Sequence, residues 1–188
     1  MKFRRLLILL LVMSLWGGTM MFADSAAQKV RVIVNGEDLS DAGLLSDGKT
    51  YLAVRQLANS LQSLVVWDET SKKVTVYKPN VHMFLFQDNT IFGNVNKGNR
   101  YTFKVFAQID NLKTDVAAVK VSIFDPSGSE KVIQSQNVSL NNKDNFWYRT
   151  DDIKYNFDSS GKYAVRFFMK VNATDEWNLV SEKIITAQ

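Results

Sequence analysis

Tyr163-Ala164-Val165-Arg166-Phe167-Phe168-Met169-Lys170-Val171 is the most regular stretch of this 188-residue chain. All of its odd-numbered positions are apolar, and most of its even-numbered positions are small or basic. Because successive side chains of a β-strand point to opposite faces, this alternation predicts a strand that buries one face. We therefore expect Tyr163, Val165, Phe167 and Met169 to face a core. Phe168 is an aromatic residue on the polar face, and we expect it to cover a loop or to contact a partner.

The same pattern recurs through the C-terminal part of the chain. Alternating runs, which turn sequences separate, occur at 101–109, 119–123, 138–140, 153–157 and 177–184. Short strands at this spacing, without a helical stretch, are typical of a β-sandwich. Asp158 to Val165 also resembles the corner of immunoglobulin-like domains, where a tyrosine hydroxyl (here that of Tyr163) bonds back to the backbone. We therefore expect residues 80–188 to form an immunoglobulin-like β-sandwich domain.

Residues 28–79 combine strand and helix patterns. Asn35-Gly36 and Asp47-Gly48 are typical two-residue hairpin turns, because both positions of such a turn favour residues that tolerate a positive φ. The spacing of Val54, Leu57, Ala58 and Leu61 predicts an amphipathic helix of about ten residues. We expect a small, twisted, mostly antiparallel sheet packed on this helix, so that the whole chain is mainly β with one α+β domain.

Four motifs between Val34 and Tyr77 occur in a recognisable order. They are Asn35-Gly36, Asp47-Gly48-Lys49-Thr50-Tyr51, Arg55-Gln56-Leu57-Ala58 and Val66-Trp67-Asp68. In this order they resemble the copper amine oxidase N-terminal-like domain, a stalk module of secreted and wall-associated proteins of Gram-positive bacteria. The resemblance implies that Trp67 packs over the helix, that Asp68 starts a turn and that Arg55 makes a structural pairing. Gln62 replaces the glycine that usually follows the helix, so we expect a remodelled helix end.

The boundary between the two domains is predicted at Lys78-Pro79-Asn80. The pattern changes there from mixed strand and helix to strand alone, and proline suits a short linker because it cannot donate a ladder hydrogen bond. The resulting division is a stalk domain at 28–79 and a sandwich at 80–188. Limited proteolysis near Lys78 would test it.

The first residues predict export from the cell. Basic residues precede an apolar stretch from Leu6 to Trp16, and small residues around Ala27 suit cleavage, as in a signal peptide. The stretch is shorter than the ~20 residues that span a bilayer, although a retained membrane anchor is the alternative. We expect residues 1–27 to be removed and the protein to be secreted or extracellular, with association with the cell wall. No membrane span is expected after cleavage.

Composition argues against several classes of function. Removing residues 1–27 takes away three basic residues and one acidic residue, which lowers the net charge from +4 to +2 and weakens the case for a nucleic-acid partner. The chain has no Cys and only one His, His82, whereas zinc and copper sites usually need several such ligands. We expect no catalytic residue, no cofactor and no metal. Carboxylate-only hydrolysis and a calcium site built from loop acids remain open alternatives.

Phe146-Trp147-Tyr148 is the densest aromatic cluster. If Phe146 and Tyr148 face the core of a strand, Trp147 faces away from it. An exposed Trp suits stacking on a sugar ring, but packing under a neighbouring loop is the more frequent arrangement and is our first expectation. Trp147 and Phe168 are the candidate ligand or partner contacts, and Trp177 is expected in the core or at a strand edge.

Three hypotheses of function follow. The first is a secreted, non-enzymatic module for stalk formation, adhesion or assembly at the cell surface or cell wall. The second is a secreted carbohydrate-binding protein that uses exposed aromatic side chains of the sandwich. The third is an inhibitor or chaperone of an extracellular enzyme, which a large apolar patch on the sandwich would favour. The expected partner is a cell-wall polymer or another extracellular protein, and exposure of Trp147 distinguishes the second hypothesis from the first.

Overall fold

A computed structural model describes residues 27–138 and 144–188. The predicted leader, apart from Ala27, lies outside these residues. The described chain is mainly β, with one short helix and several antiparallel sheets, as the sequence predicts. No helix among the described residues is long and apolar enough to cross a membrane.

The N-terminal part contains a three-stranded antiparallel sheet, a helix and a separate hairpin. Its elements are β1 (Gln28–Val34), β2 (Glu37–Ser46), β3 (Lys49–Leu52), α1 (Val54–Ser60), β4 (Leu64–Asp68) and β5 (Lys73–Tyr77). Both predicted hairpin turns are confirmed, since Asn35 and Gly36 join β1 to β2 with φ of 52° and 86°. Asp47 and Gly48, with φ of 49° and 70°, join β2 to β3 in the same way.

Helix α1 is shorter than predicted, and its end shows why. Gln62 has φ of 54°, the left-handed conformation that usually falls to glycine. Its N–H donates to the carbonyl of Asn59 at 3.0 Å, and the N–H of Ser63 donates to that of Ala58 at 2.8 Å. This pair of bonds is the Schellman arrangement, which satisfies two otherwise unpaired carbonyls. The helix therefore ends in the way that is usual when a glycine follows it. The left-handed conformation of Gln62 costs free energy, because its Cβ lies close to the backbone.

The C-terminal part contains two sheets that share one core. Its strands are β6 (Asn80–Gln87), β7 (Thr90–Ile91), β8 (Asn94–Val95), β9 (Arg100–Asp110), β10 (Ala118–Phe124), β11 (Glu130–Asn137), β12 (Phe146–Arg149), β13 (Ile153–Asn156), β14 (Gly161–Lys170) and β15 (Asn178–Ala187). One sheet has the order β11-β10-β14-β15-β8, and the other has the order β12-β9-β6-β7 with β13 also paired to β9. The pairs are antiparallel except for β8 and β15, which are parallel.

Strand β14 supplies the centre of the core, as predicted. Tyr163, Val165, Phe167 and Met169 are buried, whereas the alternate positions, including Phe168, are only partly buried. Side chains of β9 and β10 pack into the same apolar cluster from the two sheets. The alternation thus fixes the inner and outer faces of both sheets.

The predicted tyrosine corner is also present. The Tyr163 hydroxyl accepts a hydrogen bond from the N–H of Ser159 and donates one to its carbonyl, both at 3.0 Å. The ring of Tyr163 meets that of Phe157 edge-on at 4.9 Å. These contacts join the loop before β14 to the core.

The two parts of the chain touch at the base of β4. Leu64 is fully buried and belongs to the same apolar cluster as the sandwich core. The Lys78 ammonium donates to the carbonyl of Gln62 at 3.0 Å, and Pro79 is buried between β5 and β6. The division at residues 79 and 80 stays a prediction. Separation of the two parts would break the contacts of Leu64 and Lys78.

Substitutions at two neighbouring positions of β14 should distinguish its buried face from its outer face. Phe167→Ala removes a fully buried ring and should lower the free energy of unfolding by about 3–5 kcal/mol. Phe168→Ala removes a partly buried ring and its contact with Lys120, so the loss should be about 1 kcal/mol. Urea denaturation of both variants measures the difference. Equal losses would mean that β14 is buried on both faces.

Candidate functional site

Aromatic side chains cross the outer face of the sheet formed by β12, β9 and β6. Phe84 of β6 pairs with Phe106 of β9, and Phe106 pairs in turn with Arg149 of β12. Trp147 precedes Arg149 by two residues and therefore shares its face. We call Phe84, Phe106 and Trp147 the aromatic strip.

Trp147 is the most exposed member of the strip. Its side chain is 66% exposed, while Phe146 packs partly against the core and Tyr148 is buried. The predicted outward orientation of Trp147 is confirmed, and the expectation that a loop covers it is wrong. The indole stacks on Phe106 with ring centroids 6.2 Å apart and an interplanar angle of 24°. One ring thus supports the other, and the free face of the indole is presented to solvent.

Thr150 holds the strand end that carries Trp147. It is buried, its hydroxyl accepts a hydrogen bond from the N–H of Val105 at 3.0 Å, and its own N–H donates to the carbonyl of Val105 at 3.0 Å. These two bonds continue the pairing between β12 and β9 across the gap before β13. The strip is therefore built on hydrogen-bonded strands, which position side chains more precisely than loops do.

Two polar recesses flank the strip. The larger one, of about 640 Å³, is lined by Lys104, Trp147, Arg149, Thr150, Asp151, Asp152 and Lys154. The smaller one, of about 260 Å³, is lined by Phe86, Asp88, Asn89, Lys104, Phe106 and Arg149. Both recesses therefore place hydrogen-bonding groups next to the aromatic rings.

The basic groups of these recesses differ in their partners. The Lys104 ammonium lies 3.3 Å from a carboxylate oxygen of Asp152. Arg149 is exposed and has neither an acidic partner nor an aromatic ring under its guanidinium among the described residues. Lys104 and Arg149 both line the two recesses, and Arg149 is the one that forms no ion pair with a described residue.

Phe168, the other candidate, lies on the outer face of the opposite sheet. The Lys120 ammonium sits 4.4 Å from the centre of its ring, and Phe124 lies beside it with centroids 6.3 Å apart. Lys120 also pairs with Glu130 at 2.7 Å. The structure therefore places Phe168 among side chains of its own sheet and far from Trp147 in the fold, since their strands belong to different sheets.

Trp177 and Arg166 complete this second outer face. Lys170 lies over the ring of Trp177 at 4.9 Å, so Trp177 is partly buried at a strand edge. Arg166 lies over the ring of Phe124 at 4.3 Å and bonds to Glu182 at 2.6 Å. The basic and aromatic side chains of this face thus satisfy one another.

The N-terminal motifs have mixed outcomes. Asp68 starts a turn as expected, because its carboxylate accepts from the N–H groups of Thr70 and Ser71 at 3.0 and 3.2 Å. Trp67 is 46% exposed, and its indole N–H donates to Glu69 at 2.6 Å, so its packing over the helix stays a prediction. Arg55 is exposed and makes no structural pairing with any described residue; it lines a cleft of about 440 Å³ with Trp67 and residues 172–178. Trp67 faces outward because β4 turns its other face, with Leu64, to the core.

Metal-ligating side chains do not cluster within the described parts of the chain. Among residues 27–138 and 144–188, no group of three or more His, Cys, Asp or Glu side chains has the geometry to hold a metal ion. His82 is exposed on the outer face of β6.

A family model of the copper amine oxidase N-terminal domain matches residues 33–124. The match contains the motifs between Val34 and Tyr77 and continues through β10, beyond the stretch on which the resemblance was recognised. This domain is a non-catalytic part of copper amine oxidases. No curated protein matches the chain.

Tyr148, directly after Trp147, offers a test of the strand's burial. Its buried hydroxyl has no hydrogen-bond partner within the described parts of the chain, and burial, with a smaller effect of nearby Asp151, raises its pKa from 10.0 to about 12. Below pH 10 the folded and unfolded chains both keep the proton. As the pH rises from 10 towards 12 the unfolded chain loses it first, so folded stability should fall.

Tyr148→Phe should remove the unsatisfied hydroxyl and that part of the alkaline instability. At pH 7 the variant should match the parent protein within about 0.5 kcal/mol or exceed it, because a buried donor without a partner is costly. Urea denaturation at pH 7 and above pH 10 checks both expectations. A loss of more than about 1 kcal/mol at pH 7 would show that the hydroxyl has a partner.

Proposed function

We propose that this protein is a non-enzymatic surface module whose sandwich binds carbohydrate through the aromatic strip. The exposure of Trp147, whose ring is supported from behind by Phe106, carries the proposal. The apolar face of a pyranose ring is complementary to a flat indole, and its hydroxyl groups need hydrogen-bonding partners at the edge. The recesses on either side of the strip supply such partners.

The arrangement of the strip also favours an extended ligand. Phe84, Phe106 and Trp147 come from three hydrogen-bonded strands, so the rings form a row across the sheet. Phe84 is 37% exposed, and its ring lies 6.2 Å from that of Phe86. A polymer chain that crosses the strands would meet several apolar surfaces in succession, whereas a small ligand would meet only one or two.

The C-terminal part is proposed to be an immunoglobulin-like sandwich. The tyrosine corner of Tyr163, the two sheets with one core and the Greek-key-like crossing between them support this assignment. The match to a non-catalytic domain supports the view that the protein binds and positions rather than catalyses. Cell-wall polymers are the carbohydrate class that we propose as partner.

A role in assembly is the second candidate, and the N-terminal part supports it. Large apolar side chains are exposed there, namely Ile33, Leu44, Tyr51, Leu52, Val54, Leu61, Trp67, Val74 and Val76. Trp67 and Val74 are paired across the β4–β5 hairpin, and Val76 lies on the same face. Exposed apolar surface of this extent is characteristic of protein–protein contacts.

Binding to isolated Gram-positive cell walls tests the carbohydrate proposal. Trp147→Ala should weaken co-sedimentation with the walls at least about tenfold, as expected for an exposed aromatic anchor. Phe168→Ala is the matched control, because it removes an aromatic ring from the outer face of the other sheet, where Lys120 covers it. Binding of Trp147→Ala that equals binding of the parent protein would overturn the proposal.

Export is proposed on the basis of the leader sequence, and it can be tested separately. The full chain, expressed in a Gram-positive host, should be recovered outside the cells with its first residue between Ala26 and Gln28. N-terminal sequencing of the recovered protein measures this. Extracellular material that still begins at Met1 would contradict cleavage.

A further inference from the structure

We infer that the aromatic strip recognises an acidic polysaccharide, with Arg149 binding a carboxylate or phosphate group of the chain while Trp147 stacks on a sugar ring. The inference rests on the proposed carbohydrate function and specifies its ligand class. It starts from the geometry of β12, where Trp147 and Arg149 are two residues apart on one face. At the rise of a β-strand their Cα atoms are separated by roughly 7 Å along the strand, so one ligand can touch both side chains.

The guanidinium of Arg149 forms no ion pair with the described residues around it. Asp152, an acidic group in the larger recess, is paired with Lys104 at 3.3 Å. Phe106 lies opposite Arg149 in the register, yet the guanidinium does not cover its ring or that of Trp147. A planar guanidinium that forms no ion pair among residues 27–138 and 144–188 is suited to bidentate bonding of carboxylate or phosphate.

On the opposite outer face, basic, acidic and aromatic side chains of the protein contact one another. There Arg166 is bonded to Glu182 and lies over Phe124, and Lys120 is bonded to Glu130 and lies over Phe168. Both cations have an acidic and an aromatic partner. Among the described residues Arg149 has neither, although the more exposed ring of Trp147 lies two residues away on the same face. The contrast indicates that the strip is completed by a ligand.

The charged groups of the two recesses balance one another, so the preference for an acidic group rests on Arg149 itself. In the larger one Lys104, Arg149 and Lys154 face Asp151 and Asp152, and in the smaller one Lys104 and Arg149 face Asp88. Because Lys104 and Arg149 line both recesses, the two together contain three cations and three carboxylates, and Lys104 is already paired with Asp152. The remaining carboxylates suit sugar hydroxyls, which donate hydrogen bonds.

The test compares three preparations of Gram-positive cell wall. They are intact walls, walls freed of phosphate-bearing polymers, and freed walls whose carboxylates have been converted to amides. Binding of the full-length protein should decrease at the step that removes the recognised group, which distinguishes phosphate from carboxylate. It should also weaken as the salt concentration rises, because ion pairing at an exposed site is screened.

Arg149→Gln should weaken binding to intact walls at least about tenfold, the size expected for one charge-assisted contact. Arg55→Gln is the matched control, since Arg55 is exposed on α1 and distant from the strip in the fold. Because Arg149 is exposed, both variants should unfold at the urea concentration of the parent protein.

Two outcomes would overturn the inference, and they differ from failure of the proposed function. Equal binding to all three wall preparations, with no effect of Arg149→Gln but loss on Trp147→Ala, would show a neutral glycan ligand and leave the carbohydrate function in place. Equal weakening by Arg149→Gln and Arg55→Gln would show non-specific attraction of charge. If Trp147→Ala has no effect on wall binding, the carbohydrate function fails together with the inference.

Discussion

The packing of aromatic rings around Phe157 is the contact on which the two C-terminal sheets depend. Its centroid lies 4.9 Å from that of Tyr163 in β14, 5.0 Å from Tyr155 in β13 and 5.8 Å from Tyr101 in β9. Since β14 belongs to one sheet and the other two strands to the second, these rings hold the sheets face to face. Once the inner faces are fixed, the two-residue period of each strand determines every outward side chain.

The two outer faces then differ in how their aromatic residues are satisfied. On the β10–β14–β15 face, lysine and arginine side chains lie over the rings and pair with glutamates, as Lys120 and Arg166 show. On the β12–β9–β6 face the rings support one another, and Trp147 keeps one side open. The same residue types thus stabilise the protein on one side and, in our proposal, bind a ligand on the other. The difference arises from which cations have acidic neighbours.

Local pattern explains which features the sequence predicts well. The β14 alternation, the Asn35-Gly36 turn and the Tyr163 corner depend on residues close in sequence, and each is confirmed. The sequence prediction missed Phe106 as a site residue. Phe106 in β9, like Phe168 in β14, is an aromatic residue that alternates with buried positions, so the same signal was available for both. The proximity of Phe106 to Trp147 depends on the register of β12 on β9, about forty residues apart, which local periodicity does not specify. Whether Arg149 forms an ion pair likewise depends on side chains of several strands, which local periodicity does not specify.

The parallel pairing of β8 with β15 has a mechanical consequence. Thr186 and Gln188 donate hydrogen bonds to the carbonyls of Gly93 and Val95, and Lys97 donates to the carbonyl of Gln188. Tension that draws the start of β8 and the end of β15 in opposite directions acts along the strands and loads these bonds together in shear. In an antiparallel hairpin pulled at its open end, by contrast, the bonds are loaded and broken one after another. The short β8 strand therefore resists a force that draws Asn94 and Ala187 apart along the strand direction.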